Sequence, residues 1–228
     1  NNKILYIIIR EVAVLSTAYD SFFDRIPPRL LHIIVNGCTL GDRAFQQLID
    51  SDPALLNSLY MKCLRTRIHD KALQKCLHDR IIASGIPHIT VYSQDTGFGN
   101  QVATVCGDDF SLIPCHILSR GIMPAAAKYK IKACENNPGD DYGQQSLFTP
   151  PYAEKYGSII FFVTTFFDGL KTEPTLVLPD KTFSRILYSW PILSTSAFEP
   201  SEDDIAYQKR IFPILISEVQ HEQIQGAD

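Results

Sequence analysis

The chain has no run of basic residues. Its 228 residues include 21 Lys and Arg against 25 Asp and Glu, a formal net charge of -4, with a pI near 5.9. That balance disfavours nucleic acid or an anionic membrane surface as an electrostatic partner. No CxxC pair occurs among the six cysteines, Cys38, Cys63, Cys76, Cys106, Cys115 and Cys134. Their spacing fits no zinc template, and a chain of this length has no need of disulfide stapling. Reduced thiols in a reducing, cytoplasmic compartment are therefore expected. The longest uncharged apolar stretch runs only from Ser158 to Phe167. It is too short to cross a bilayer and suits a buried strand, so no transmembrane segment is expected. No signal peptide opens the chain, and the first residues read as a trimmed start. There is no internal repeat. His32, His69, His78 and His221 have no metal-ligand spacing.

What is present is ordinary globular composition: 45% hydrophobic residues and a mean hydropathy of -0.02. Lys3 to Ile9 has the length of a strand, and Val12 to Phe23 carries helical spacing up to Pro27-Pro28. Leu30-Leu31-His32-Ile33-Ile34-Val35 reads as a second strand. It ends in an Asn36-Gly37-Cys38-Thr39 turn and a helix over 41–50. Asp52-Pro53 opens a further helical stretch, and a more polar helix covers about 67–84. His88 to Tyr92 is a third strand after Pro87. This β-α-β-α-α-β order predicts a single α/β domain, 1–228, with a mixed, mainly parallel, Rossmann-like sheet.

The second half is less regular. Gln101–Cys106 and Leu112–Leu118 read as short strands, and Asn136 to Gly143 as a loop. Ser158–Phe167 is the strongest strand, and Pro174, Pro179 and Pro191 punctuate the chain beyond it. Ser201-Glu202-Asp203-Asp204 has the form of a helix start, with Ser201 as cap and acids in the first turn. Pro213 is expected to kink or end that helix.

Ligands of open parallel sheets lie beyond the carboxyl ends of the strands. There, a glycine turn followed by free helix N–H groups suits a phosphate. The strand–turn–helix at 30–50 and the Gln94-Asp95-Thr96-Gly97-Phe98-Gly99-Asn100 loop after the third strand resemble the nucleotide-binding half of GT-A-type glycosyltransferases, family 2 in particular. The resemblance covers about the first 105 residues. It implies a nucleotide-binding half over 1–105 and an acceptor-side closing half over 106–228. A nucleotide-sugar would lie against Arg10, Asn36, Asp95 and Asn100 and pass its sugar to an acceptor the sequence does not identify. The chain departs from that family at three points: no acid follows the second strand, Asp95 replaces the Asn of the third-strand loop, and no strand ends in Asp-x-Asp. Asp108 and Asp109 stand where a Mg2+ or Mn2+ site on the leaving diphosphate is implied. Asp168, after the strong strand, is the candidate catalytic acid.

Each candidate has a plainer reading. Gly107-Asp108-Asp109 and Asp140-Asp141 also suit turns, and Asp168 with Gly169 also caps one. Cys38 at a helix start would be an activated thiol, giving a cysteine-dependent hydrolase paired with His88 or His116. In a strand-to-helix turn it is equally a small packing residue. His88-Ile89-Thr90-Val91 matches one half of a two-histidine phosphoesterase pattern, without its second half. Tyr152 to Gly157 resembles the helix flanking the NAD site of ADP-ribosyltransferases. A catalytically silent α/β interaction domain is the alternative to all of these enzymes.

Overall fold

The computed structural model describes residue 23 and residues 25–57, 61–97, 100–139, 159–169, 171–192 and 201–225. The strand expected over 3–9, and all but the last residue of the helix expected over 12–23, lie outside them, as do Asp140-Asp141 and the segment 152–157.

Pro27-Pro28 starts a helix here. Pro28 takes the first helical position, where a missing N–H costs nothing. Pro27 before it is extended, at φ -57° and ψ 132°. The helix, α1, runs without a break over Pro28–Ser51. The strand at 30–35, the turn at 36–39 and the separate helix at 41–50 are thus one element. Leu30, Leu31, Ile33, Ile34, Val35 and Cys38 are all buried. This helix is covered by the sheet and by two further helices, α2 (Met61–Ser84) and α4 (Glu202–Gln225). The helical period shows only over the whole of Pro28–Ser51, and the short apolar run at 30–35, rich in Ile and Val, reads as a strand when taken by itself. Gly37 serves close approach, not a turn. A Cβ there would lie 2.9 Å from Leu73 Cδ1 and 3.1 Å from Leu73 Cα on α2. One turn on, a Cβ on Gly41 would lie 2.7 Å from His69 Nδ1. The two glycines form a groove that receives Leu73 and His69.

After a 3-10 segment at Pro53–Asn57 and α2 come the strands. These are β1 (Thr90–Gly97), β2 (Asn100–Cys106), β3 (Phe110–His116), β4 (Ile159–Phe167), β5 (Thr172–Pro179) and β6 (Ile186–Pro191). A short helix, α3 (Lys128–Ala133), lies in the β3–β4 connection. Strand order in the sheet equals chain order. All neighbours are antiparallel except β3 and β4, which run parallel with Phe110 opposite Ile159 and His116 opposite Thr165. The domain is therefore α/β with a mixed sheet, but mostly antiparallel rather than mainly parallel. Pro174, Pro179 and Pro191 fall within or at the ends of strands, not between them.

Side chains alternate across the sheet. Val105, Phe110, Leu112, Phe161, Val163, Leu176, Leu178 and Trp190 pack with the apolar faces of α1, α2 and α4 in the main core. Val102, Ile113, Phe162 and Phe183 form a smaller core on the other face with Cys134, at the end of α3. Asn137 fixes the β3–β4 connection to the sheet. Its amide donates to Ile160 O (3.0 Å) and Pro179 O (2.9 Å), and its Oδ1 accepts the Ile160 N–H (2.8 Å).

The cap expected at Ser201 is present. Asp204 N donates to Ser201 Oγ (3.2 Å), while the Ser201 hydroxyl and N–H donate to Asp204 Oδ2 (2.6 and 3.0 Å). This is a reciprocal capping box. Asp204 also meets His32 Nε2 (3.1 Å) on α1 and Arg80 on α2, so one buried carboxylate joins three helices. α4 does not end at Pro213 but continues to Gln225. Among the described residues, no helix is long and apolar enough to cross a membrane.

The β2–β3 junction differs from the others. Gly107 N–H donates to Phe110 O at 2.9 Å. Bonded rungs of an antiparallel ladder alternate with unbonded ones. The next bonded rungs are therefore 105 with 112, then 103 with 114. Pro114 has no N–H to give at that rung. The paired register holds only Val105–Leu112 and Cys106–Ser111. Beyond them β2 stays with β1, β3 stays with β4, and the sheet parts.

Candidate functional site

The parting of β2 from β3 opens a cleft of about 300 Å3. Gln101 and Val102 of β2 and Pro114, Cys115 and His116 of β3 form its sides, with Thr96 at the end of β1. α2 contributes Asp70 and Gln74, and α3 contributes Tyr129 and Lys130. The cleft thus lies at the carboxyl end of β3, between it and β2.

Its lining is polar, and four of its groups, Asp70, Cys115, His116 and Tyr129, are displaced from their ordinary values. Burial pushes the Asp70 carboxyl up to about 6, against the opposing attraction of Lys130. Lys130 is itself buried, and its Nζ donates to Ala125 O at 2.9 Å. Burial also raises the Cys115 thiol to about 12. It raises the Tyr129 phenol to about 12 as well, with help from Cys115 and Asp70. Burial lowers His116, and the charge of Arg65 lowers it further. Near neutral pH the cleft therefore presents two hydroxyls, a protonated thiol, a neutral imidazole, two amides, a lysine side chain and a carboxyl close to its titration point.

A second polar cluster adjoins His116. Thr172, the first residue of β5, donates its N–H to Asp42 Oδ2 (2.9 Å) and its hydroxyl to Asp42 Oδ1 (2.8 Å). The Thr172 hydroxyl lies 3.0 Å from His69 Nδ1. If that hydroxyl donates to Asp42, it must accept from Nδ1–H, which leaves Nε2 without a proton. Nε2 is buried, makes no hydrogen bond, and lies 3.3 Å from Asp42 Oδ1. Burial, then Arg65 and His116, hold His69 down at about 4. Burial raises Asp42, and the two bonds from Thr172 oppose that rise. The Gly41 groove presses on the same imidazole.

Three of the four residues read from the sequence as a nucleotide site fall among the described residues. Arg10 lies outside the described residues. Asn36 is in the middle of α1, buried, with its Nδ2 unpartnered. Asp95 and Asn100 fall where β1 gives way to β2, beside Thr96 and Gln101 in the chain. Asp108 and Asp109 stand at the opposite end of the sheet, before β3. Asp108 is exposed, 3.5 Å from His88 Nδ1. Asp109 pairs with Arg25 and accepts the Ile159 N–H (3.1 Å) on its main-chain oxygen. Asp168 follows β4, nine residues past Ile159, or roughly 30 Å away at about 3.3 Å per residue. Its Oδ1 accepts the Lys171 N–H (2.9 Å) around Gly169 at φ 108°, the turn-capping arrangement. Among the described residues, no three His, Cys, Asp or Glu side chains are grouped to hold a metal ion. Cys38 is a buried residue of α1, and burial drives its thiol further up, the reverse of what a nucleophilic thiolate requires.

Sequence reasoning missed Asp70, Gln74, Tyr129 and Lys130. One signal was available: Pro114 within an otherwise apolar strand run, which marks a broken ladder. No protein-family model matches this chain, and no curated protein or solved structure matches it either.

Proposed function

We propose that the protein binds a small polar molecule in the β2–β3 cleft and exchanges a proton with it through Asp70. The observation that carries this reading is the placement of a carboxyl titrating near 6 in the cleft that Pro114 opens. Perturbed acids in clefts are the usual mark of acid–base sites, and a group titrating near the working pH transfers protons most effectively. Gln74, Gln101 and the Tyr129 hydroxyl supply hydrogen bonds that orient a ligand. Lys130, anchored on Ala125 O, supplies a fixed charge. A volume of about 300 Å3 is at the lower end of ligand pockets, which favours a compact molecule.

The nucleotide-sugar reading drew on a strand and turn at 30–39 that belong to α1, so the cleft reading is preferred to it. Compact polar compounds titrated against isotope-labelled protein at millimolar concentration test the proposal. Saturable shifts are expected at Gln101, Tyr129 and Thr96, with a pH dependence near 6 that the Asp70→Asn variant lacks. Shifts that map elsewhere, or none across a broad set, would overturn it and favour an interaction domain. UDP- and GDP-sugars belong in the same titration, with and without Mn2+. Saturable binding of one of them would restore the transferase reading.

A further inference from the structure

We infer that Arg65 is an anion-receiving group beside the cleft, so that the molecule bound there carries a carboxylate or a phosphate. This rests on the cleft reading above. Arg65 lies on α2 one turn before His69 and Asp70. Its guanidinium carbon sits 4.1 Å from the centroid of the Phe167 ring, at the end of β4. Stacking on an aromatic face fixes the plane of the fork and leaves its N–H edge available.

Among the described residues, no carboxylate pairs with that edge. Asp42, whose charge Arg65 feels, has both oxygens engaged by Thr172. Two titrating groups on the cleft side feel its charge, His69 and His116, and both are lowered first by burial and then by Arg65. Arg65 therefore stands as a partly desolvated cation among imidazoles. The other cation of the cleft, Lys130, already donates to Ala125 O and faces Asp70. A planar fork with free donors matches a carboxylate or a phosphate in bidentate fashion, and charge-assisted bonds of that kind are the stronger ones. His116 links the two regions, because it lines the cleft and also senses Arg65.

The test uses the full chain, with arginine side-chain Nε–Hε and histidine ring signals followed by NMR. Inorganic phosphate and acetate are titrated separately at constant ionic strength, with chloride as the reference salt. The expected result is a saturable shift of the Arg65 and His116 signals with phosphate, acetate or both, which also tells the two anion sources apart. Arg65→Gln should weaken that binding at least tenfold. Arg65→Lys, which keeps the charge and loses the fork, should fall between them and serves if the glutamine variant does not fold. Arg65 signals that follow chloride as they follow phosphate and acetate would overturn the inference, as would unchanged binding by both variants. Failure of the two readings is distinguishable. Neutral compounds that occupy the cleft without moving Arg65 sink the anion inference alone. Anions that move Arg65 and His116 while no compound perturbs Gln101 or Tyr129 sink the cleft reading.

Discussion

Replacing Asp70 by asparagine removes a titrating group while nearly preserving its volume. In the folded protein the Asp70 carboxyl titrates at about 6, against an ordinary 3.8. Between those two values the folded chain holds a proton that the unfolded chain has released. Stability from this group is therefore fully present below 3.8 and falls as pH rises toward 6, with no further loss above. A displacement of about two units, at about 1.4 kcal/mol each, makes the loss on the order of 3 kcal/mol. The amide that replaces the carboxyl cannot ionise and avoids it. The variant should thus gain on the order of 3 kcal/mol relative to the wild type between pH 3.5 and pH 7.5. For a chain of this size that corresponds to roughly 6–12 °C in Tm. Urea unfolding of both proteins at the two pH values measures the difference directly, because every other titration is common to both. A wild-type-minus-variant gap that stays constant with pH would refute the reasoning, for it would mean that Asp70 is solvated and unperturbed.

His69 acts in the opposite direction. Its folded value of about 4 lies below the ordinary 6.5, so the stability it contributes is present above 6.5 and lost as pH falls toward 4. His69→Gln should flatten that part of a urea-midpoint profile. Gly37→Ala and Gly41→Ala place a Cβ against Leu73 and His69 and should each cost about 1–3 kcal/mol by overpacking in chemical denaturation. Asp204 is held at about 2: burial raises it, but bonds from Ser201 and His32 and the charge of Arg80 overcome that. Asp204→Ala leaves Arg80 without its carboxylate and should cost about 3 kcal/mol or more at pH 7 by urea unfolding. Pro114→Ala restores a donor opposite Ala103, and amide exchange should show new protection at residue 114 together with weaker ligand binding in the cleft.

Some of this structure was legible in the chain, and the residues show why. Ile159–Phe167 is an unbroken apolar, β-branched and aromatic run flanked by polar residues, and it became the core strand it resembled. Ser201 and Asp204 carry their own local chemistry, so the cap could be read without the rest of the fold. Leu30 to Val35 could not be read so, because this short run is buried almost throughout and the helical period shows only over the longer Pro28–Ser51 segment. Gly37 offered the same difficulty: a glycine beside an asparagine looks like a turn until Leu73, far along the chain, is seen against it. The cleft was hidden for a related reason. Asp70 and Gln74 belong to a polar helix whose charged stripe reads as a solvated face. Only the register of β2 against β3, fixed by Gly107 and broken at Pro114, turns that stripe inward.

Strand order that repeats chain order has a kinetic consequence. Five neighbouring pairs make up the sheet, and four of them are antiparallel, formed by segments that follow closely in sequence. Such local pairings need little loop closure and form early. The parallel joint between β3 and β4 must instead close over residues 117–158, at a chain-entropy cost of roughly 3 kcal/mol. Two subassemblies are thereby defined: the first three strands, on which α2 packs, and the last three. On this argument their union is expected to be the slow step. Asn137, bonded to Ile160 and Pro179, fastens the connecting chain to the later half. Its replacement by alanine should lower the folding rate more than it raises the unfolding rate if that fastening precedes the union.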